Sequence, residues 1–120
     1  YDYKAKYIDP DGALLLTPAD IDDSLKAKVQ ELAEKAYSAA DTEGMARVDF
    51  FVEKDTDKIY LNEINTIPGF TNISMFPMLC EAGGLSYTEV ITTLIELGQE
   101  RHKEKRELLY SFSGTGENGV

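Results

Sequence analysis

The residues best suited to chemistry lie on two consecutive segments, "ARVDFFVE" and "IYLNEIN". Both alternate polar residues with β-branched or aromatic ones, and the turn-like "KDTDK" between them predicts an antiparallel hairpin. In the register that keeps the apolar side chains on one side, Asp49 faces Glu63. Arg47 then faces Asn65 on the same, polar side. Two carboxylates directly opposite each other repel, so this register needs a physical reason.

The hydrophobic pattern sets this register. It places Glu53 opposite Ile59 and assumes one-to-one pairing along the whole hairpin, because a slip of one residue would send every side chain to the other face. The apolar face then carries Val48, Phe50, Val52, Tyr60 and Ile64. Phe51 and Leu61 fall on the polar face, which we therefore expect to be partly covered.

The polar face of the hairpin offers the oxygen ligands that hard divalent cations prefer. Asp49 and Glu63 supply carboxylates and Asn65 a carboxamide, which suit Mg²⁺ or Mn²⁺, above all when phosphate oxygens complete the coordination sphere. A cation there would turn the repulsion into attraction. The alternative is a strand face whose charges are only solvated, and the pattern leaves both interpretations open.

Two loops add candidate ligand contacts. In "TIPGFTNIS", Gly69 follows a proline and lets a backbone N–H approach a ligand closely. Ser74 precedes a short helical segment whose first N–H groups attract anions. The alternative is an ordinary Pro-Gly turn with a helix cap. In the first loop, Lys6 and Tyr7 could each reach a phosphate or a substrate, although most exposed lysines are only solvated.

Other reactive side chains fit structural roles. His102 lies in the charged run "QERHKEKRE", which predicts a surface residue. Cys80 follows Met78 and Leu79, which predicts a buried thiol rather than a nucleophile. As the only cysteine, it excludes an intrachain disulfide and fits a reducing cytosol. The sequence contains no Gly-rich phosphate loop, HExxH or GxSxG motif.

Helices must support the hairpin. Apolar residues recur at three- and four-residue steps over residues 22–40, which predicts an amphipathic helix. A short helical turn is expected after Ser74, ending at Gly83-Gly84. The segment "SYTE" (Ser86–Glu89) matches a capping box and predicts another helix, running to about Leu109. We expect both longer helices to pack on the apolar face of the hairpin.

The composition of the chain limits the classes of partner. The 120 residues are 42% hydrophobic, which suits one globular unit with a core of useful size. The net charge of −10 argues against nucleic-acid or anionic membrane partners, so a polyanionic ligand needs local neutralisation. No apolar run approaches the ~20 residues that cross a bilayer. Because the chain starts at Tyr1 within a patterned segment, we expect a piece of something longer.

The order and spacing of four segments resemble one enzyme family. "YDYKAKY", "ARVDFFV", "YLNEINTIPGFTNISMFP" and "GLSYTEVITTLIEL" follow one another as in the C-terminal part of D-alanine–D-alanine ligases, which are ATP-grasp enzymes. The similarity extends from Tyr1 to about Leu97. It implies an α/β (α+β) ATP-grasp C-terminal domain, an antiparallel sheet with flanking helices. We expect a mobile active-site loop and its flank at 1–20, a catalytic subdomain at 21–110 and a flexible tail at 111–120. The family's N-terminal domain and most of its central domain have no counterpart here.

The resemblance implies an ATP-dependent carboxylate–amine ligase that makes D-Ala-D-Ala for peptidoglycan through an acyl phosphate. Its cofactors would be ATP and two Mg²⁺ or Mn²⁺ ions, and its partners the D-alanine substrates, the rest of the ligase chain and a second copy in a homodimer, in the cytoplasm. The alternatives are a D-Ala–D-Ser or D-Ala–D-lactate ligase of the same family, or a non-catalytic module that binds divalent ions. The isolated chain is expected to be inactive.

The resemblance also implies roles for the residues of the hairpin and the loop after it. Asp49, Glu63 and Asn65 match the ligands of the two ions, with Glu63 bridging them. Arg47 matches the residue that steadies the transferring phosphate and the oxyanion of the tetrahedral intermediate. Gly69 matches the position whose backbone N–H donates to that oxyanion.

The remaining matched positions concern the second substrate and the nucleotide. Ser74 and Met75 match the positions that hold the carboxylate of the second D-alanine. Lys6 matches a lysine on a mobile loop that closes over the γ-phosphate. Tyr7 matches a tyrosine on that loop associated with D-alanine as the acceptor, which favours the dipeptide product.

Overall fold

The computed structural model describes residues 15–71 and 73–110. These ranges contain three helices and one hairpin, in the order α1 (Asp23–Ala39), β1 (Arg47–Val52), β2 (Ile59–Asn65), α2 (Met75–Ala82) and α3 (Tyr87–Tyr110). The strands form an antiparallel pair, and the predicted α+β class is confirmed. Lys6, Tyr7 and the predicted tail at 111–120 lie outside the described residues.

Helix α1 begins where the sequence supplies a cap. Asp22 has an extended backbone, and its carboxylate accepts a hydrogen bond from the Leu25 N–H at 2.9 Å. This bond satisfies one of the N–H groups that a helix start leaves without a partner. The helix lies against both strands, and Leu25 is buried. Asp41, with φ of 50°, turns the chain after the helix towards β1.

The first half of β1 has the predicted register. Arg47 pairs with Asn65, and Asp49 pairs with Glu63. Residues paired in this way on antiparallel strands carry their side chains on the same face, with Cβ atoms about 4.5–5.5 Å apart. The prediction that the two carboxylates face each other across the hairpin is therefore confirmed.

The second half of β1 departs from the predicted register. Phe50 pairs with Leu61 and Phe51 with Tyr60, so the pairing shifts by one residue after Asp49. The extra residue on β2 is a β-bulge. Leu61 thus joins the apolar face and Tyr60 the polar face, the reverse of the prediction. Phe51 is 64% exposed. The expectation that the polar face is partly covered is therefore also wrong for the described residues.

The turn between the strands explains this shift. The Glu53 N–H donates to the Lys58 carbonyl, and the Asp57 N–H donates to the Glu53 carbonyl, both at 2.9 Å. Asp57 adopts a φ of 52°, in the left-handed region that closes tight loops. Because the turn pairs Glu53 with Lys58 instead of Ile59, the ladder starts one residue out of step. The bulge then restores the register that opposes the two carboxylates.

Helix α3 begins at the predicted capping box. The Ser86 N–H and hydroxyl donate to the Glu89 carboxylate at 2.8 and 2.6 Å, and the Glu89 N–H donates to the Ser86 hydroxyl at 3.3 Å. The helix packs mainly against α2, not on the apolar face of the hairpin as predicted. Farther along, Arg101 forms an ion pair with Glu43, in the connection between α1 and β1.

This capping box leads to a prediction about pH. Hydrogen bonds from the Ser86 hydroxyl, and then from the Ser86 N–H, lower the pKa of the Glu89 carboxyl below its ordinary value of 4.5. A lowered folded-state pKa stabilises the helix start above the unfolded-state pKa, and this contribution is lost as the pH falls through the folded-state value. We expect an NMR titration to give Glu89 a higher pKa in Ser86→Ala than in the wild type. An unchanged pKa in that variant would contradict this assignment.

The described ranges enclose little core. Leu25 and Val90, at 8% and 5% exposure, are the only hydrophobic side chains buried there. Large apolar side chains on the hairpin and the following loop are exposed, and Ile67 reaches 82%. The prediction of a hydrophobic core of useful size is therefore wrong for these residues. Exposed apolar surface of this kind is typical of a piece that packs against further protein.

The two reactive side chains assigned structural roles lie as follows. His102 is exposed on α3, as predicted. Cys80 on α2 is only half-buried, and this burial raises the pKa of its thiol, which disfavours the reactive thiolate. Among the described residues, no helix combines the length and apolar character needed to cross a bilayer.

Candidate functional site

The candidate site is centred on the two carboxylates of the hairpin. Asp49 on β1 and Glu63 on β2 are direct partners in the ladder, and their side chains are 30% and 56% exposed. Strand pairing holds their backbones together, and the bulge starts immediately after Asp49. Strand pairing therefore keeps the two residues opposite each other, and their carboxylates are accessible to a ligand.

Arg47 partly offsets the charge of this pair from the same face. Its Nε and one terminal nitrogen each donate to a different oxygen of Asp49, both at 2.8 Å. The same terminal nitrogen lies 3.8 Å from an oxygen of Glu63. The hydrogen bonds to Asp49 raise the pKa of Arg47, so its positive charge is secure. Within this chain, a guanidinium thus relieves the repulsion that the sequence pattern implied.

Asn65 ties the carboxylate pair to the loop after β2. Its side-chain oxygen accepts a hydrogen bond from the Ile67 N–H at 3.2 Å, which forms an Asx turn at the end of the strand. A carboxamide oxygen has two lone pairs, so one is still free for a cation. The turn therefore orients Asn65 without preventing its predicted role.

These donors fit a hard divalent cation that brings further oxygen ligands. Asp49, Glu63 and Asn65 provide carboxylate and carboxamide oxygens, whereas Mg²⁺ takes about six oxygen ligands. In the part of the chain that the structure describes, no three His, Cys, Asp or Glu side chains gather into a metal site of their own. The chain thus offers part of a coordination sphere, which suits an ion that is also bound to phosphate.

The loop brings two more predicted residues together. A Cβ added at Gly69 would lie 3.0 Å from Oγ of Ser74, tighter than ordinary contacts. That Oγ accepts a hydrogen bond from the Thr71 N–H at 3.0 Å and lies 2.8 Å from Oγ1 of Thr71. Thr71 therefore holds the Ser74 hydroxyl beside Gly69. The sequence marks Thr71 only as one of several small polar donors in this loop, and its three-residue spacing from Ser74 is the only signal for this contact.

The start of α2 lies next to this hydroxyl. Ser74 occupies the cap position, but its side chain makes no capping hydrogen bond, since its Oγ is turned back to Thr71. Met75 is the first helical residue. The first N–H groups of a helix have no intrahelical partner and attract anions. Ser74 and Met75 thus lie where a carboxylate could be held.

An aromatic cluster attaches the loop to the helices. The ring of Phe70 lies 5.7 Å from that of Phe76 on α2 and 5.1 Å from that of Tyr87 on α3, measured between centroids. The Tyr87 hydroxyl also donates to the Phe70 carbonyl at 3.0 Å. Aromatic pairs at such distances are favourable beyond their buried area. Sequence reasoning missed this cluster because its members are distant along the chain.

Comparison with known proteins places this chain in a family. A family model described as "D-ala D-ala ligase C-terminus" matches residues 1–96, most of the chain. The chain belongs to this family. A D-alanine–D-alanine ligase of Treponema denticola is 57% identical over 108 residues, which cover 90% of this chain and 29% of that protein. One from Shouchella clausii is 51% identical with the same coverage of both chains. The chain therefore spans about three-tenths of the length of these curated relatives.

Solved structures of the same family share the fold. The D-alanine–D-alanine ligase of Coxiella burnetii is 44% identical with a TM-score of 0.79, covering 83% of this chain and 28% of that one. A Bacillus anthracis ligase complexed with ATP is 30% identical with a TM-score of 0.65, covering 72% and 30%. VanG D-Ala:D-Ser ligase of Enterococcus faecalis is 36% identical with a TM-score of 0.65, covering 72% and 26%.

Proposed function

We propose that this chain is the catalytic C-terminal part of an ATP-dependent D-alanine–D-alanine ligase, which makes D-Ala-D-Ala for peptidoglycan in the cytoplasm. The carrying observation is the shared hairpin face of Arg47, Asp49, Glu63 and Asn65 in a chain of this family. Because the chain covers 29% of the Treponema denticola and Shouchella clausii relatives, the rest of the ligase would be a required partner. The longer protein that would contain this chain is called the complete ligase.

The hairpin face would act on the nucleotide. Asp49, Glu63 and Asn65 would hold two Mg²⁺ or Mn²⁺ ions, with Glu63 between them. When bound, such ions neutralise the phosphates of ATP and the charge that develops during phosphoryl transfer. Arg47 would steady the transferring phosphate and the later oxyanion, to which its fork of N–H donors is suited. The ATP complex of the Bacillus anthracis relative supports ATP as the nucleotide.

The loop and the start of α2 would act on the acceptor. The backbone N–H of Gly69 would donate to the oxyanion, and Ser74 with Met75 would hold the carboxylate of the second D-alanine. The hydrogen bonds between Thr71 and Ser74 keep the Ser74 hydroxyl in place for this contact. Lys6 would close over the γ-phosphate, and Tyr7 would favour D-alanine as the acceptor.

The identity of the acceptor substrate has a specific alternative. VanG, at 36% identity, is a D-Ala:D-Ser ligase, so the family fold does not select the acceptor by itself. The deciding experiment supplies the complete ligase with ATP, Mg²⁺ and D-alanine, together with D-serine or D-lactate, and quantifies the products. We expect D-Ala-D-Ala to dominate. A dominant D-Ala-D-Ser or D-Ala–D-lactate product would replace the proposed acceptor, and the absence of any product would contradict a ligase.

Gly69→Ala tests the contact between the loop and the acceptor. The added Cβ would lie 3.0 Å from Oγ of Ser74 and would displace that hydroxyl. We expect the KM for the second D-alanine in the complete ligase to rise by about tenfold, equivalent to one lost hydrogen bond of ~1.4 kcal/mol. The matched control is Gly98→Ala on α3, where no atom lies within 4 Å of the new Cβ and the KM should not change. Equal KM values for the two variants would refute this role of Gly69.

A further inference from the structure

We propose that Arg47 makes the hairpin face select a metal–nucleotide complex over the free metal ion. This inference rests on the metal site proposed above and adds a property of that site. Two nitrogens of Arg47 bind the two oxygens of Asp49, and the guanidinium also lies 3.8 Å from Glu63. Arg47 therefore contacts both carboxylates that would receive the cation.

A free divalent cation must compete with this guanidinium. Each Asp49 oxygen already accepts one charge-assisted hydrogen bond from Arg47, and such bonds are among the stronger ones in proteins. A cation would therefore have to share these oxygens with a positively charged donor. It would also approach the positive charge of the guanidinium, which arginine keeps at all ordinary pH values. Arg47 should thus lower the affinity of the site for the metal ion alone.

A metal ion that is bound to a nucleotide does not compete with Arg47 in the same way. The phosphate groups offer Arg47 a new anionic partner, for which a planar guanidinium is well suited. Arg47 can then exchange its ion pair with Asp49 for one with a phosphate group. Both carboxylates thereby become available to the cation. The Arg47 and Asp49 side chains are 25% and 30% exposed, so the exchange does not require opening of a core. The same residue therefore opposes free metal and favours the metal–nucleotide complex.

Mn²⁺ binding to the complete ligase without nucleotide tests this role directly. Free Mn²⁺ is measured by electron paramagnetic resonance during titration of the wild type, Arg47→Met and Arg47→Lys. Met has similar reach without charge, and we expect it to bind Mn²⁺ about fivefold to tenfold more tightly than the wild type. Lys keeps the charge but cannot bind both oxygens of Asp49, so a gain of about twofold is expected. With ATP present, we expect the gain of Arg47→Met to disappear.

A second substitution locates the gain. Asp49→Asn, added to Arg47→Met, should remove the increase in affinity, because the released carboxylate is then gone. Mn²⁺ affinity without nucleotide that is equal to or lower than wild type in Arg47→Met, including no detectable binding, overturns the inference. If that variant does not fold, the same criterion applies to Arg47→Lys. Failure of the metal site itself has a different signature, namely Mn²⁺ binding with ATP that neither Asp49→Asn nor Glu63→Gln weakens.

Discussion

Glu63→Gln is expected to lower kcat of the complete ligase by about 10²–10³-fold. Glu63 lies directly opposite Asp49. The proposed metal site would need an anionic oxygen on each strand. The amide of Gln removes one negative charge and replaces one oxygen with an N–H donor, so it cannot bridge two cations. Metal ions contribute several kcal/mol of charge stabilisation in phosphoryl transfer, and a loss of ~3–4 kcal/mol corresponds to this range. The measurement is steady-state phosphate release with saturating ATP, Mg²⁺ and D-alanine.

Glu96→Gln is the matched control, because it makes the same chemical change on an exposed position of α3. We expect it to retain wild-type kcat. Neither variant should lower the melting temperature appreciably, since Glu63 is 56% exposed and its replacement relieves repulsion with Asp49. Normal ligation by Glu63→Gln would favour a non-catalytic divalent-ion or interaction module over the function proposed here.

The 120-residue chain by itself is expected to release phosphate at least about 10³-fold more slowly than the complete ligase. Much of an enzymatic rate comes from holding both reactants in the correct geometry, which can be worth ~7–11 kcal/mol. In the proposed function, the hairpin and loop would hold the metal ions and the second substrate, whereas the rest of the ligase would hold the first D-alanine and the adenine. The described residues also bury only Leu25 and Val90 among their hydrophobic side chains, so their packing is expected to be incomplete.

This result is measured with ATP, Mg²⁺ and D-alanine in the assay used for the complete ligase, at equal protein concentration. Circular dichroism at the same concentration shows whether the helices form, which separates an unfolded chain from a folded but incomplete site. Phosphate release within tenfold of the complete enzyme would refute the requirement for the missing domains.

Local pattern in the sequence predicted a large part of the site. Period-two alternation placed Asp49 opposite Glu63 and Arg47 opposite Asn65, and the structure has both pairs. The capping box at Ser86 could also be predicted from the sequence, because its hydrogen bonds join residues three positions apart. Features of this kind depend on neighbours along the chain, and therefore a single sequence contains the information to find them.

The bulge could not be predicted in the same way. The register of a hairpin depends on its turn as well as on its hydrophobic pattern. The turn closes between Glu53 and Lys58 with Asp57 at positive φ, one residue out of step with the pattern. Tyr60 and Leu61 were consequently assigned to the wrong faces.

The sequence by itself determined which residues could carry the chemistry: a carboxylate pair, a carboxamide and an arginine on one strand face, with a glycine and a serine in the loop that follows. Only the tertiary structure decided how they are held. In the structure, the guanidinium of Arg47 binds both oxygens of Asp49. The Ser74 hydroxyl turns back to Thr71, and the ring of Phe70 attaches the loop to Tyr87. Side-chain orientation and contacts between distant segments decide these features, and neither follows from hydrophobic periodicity.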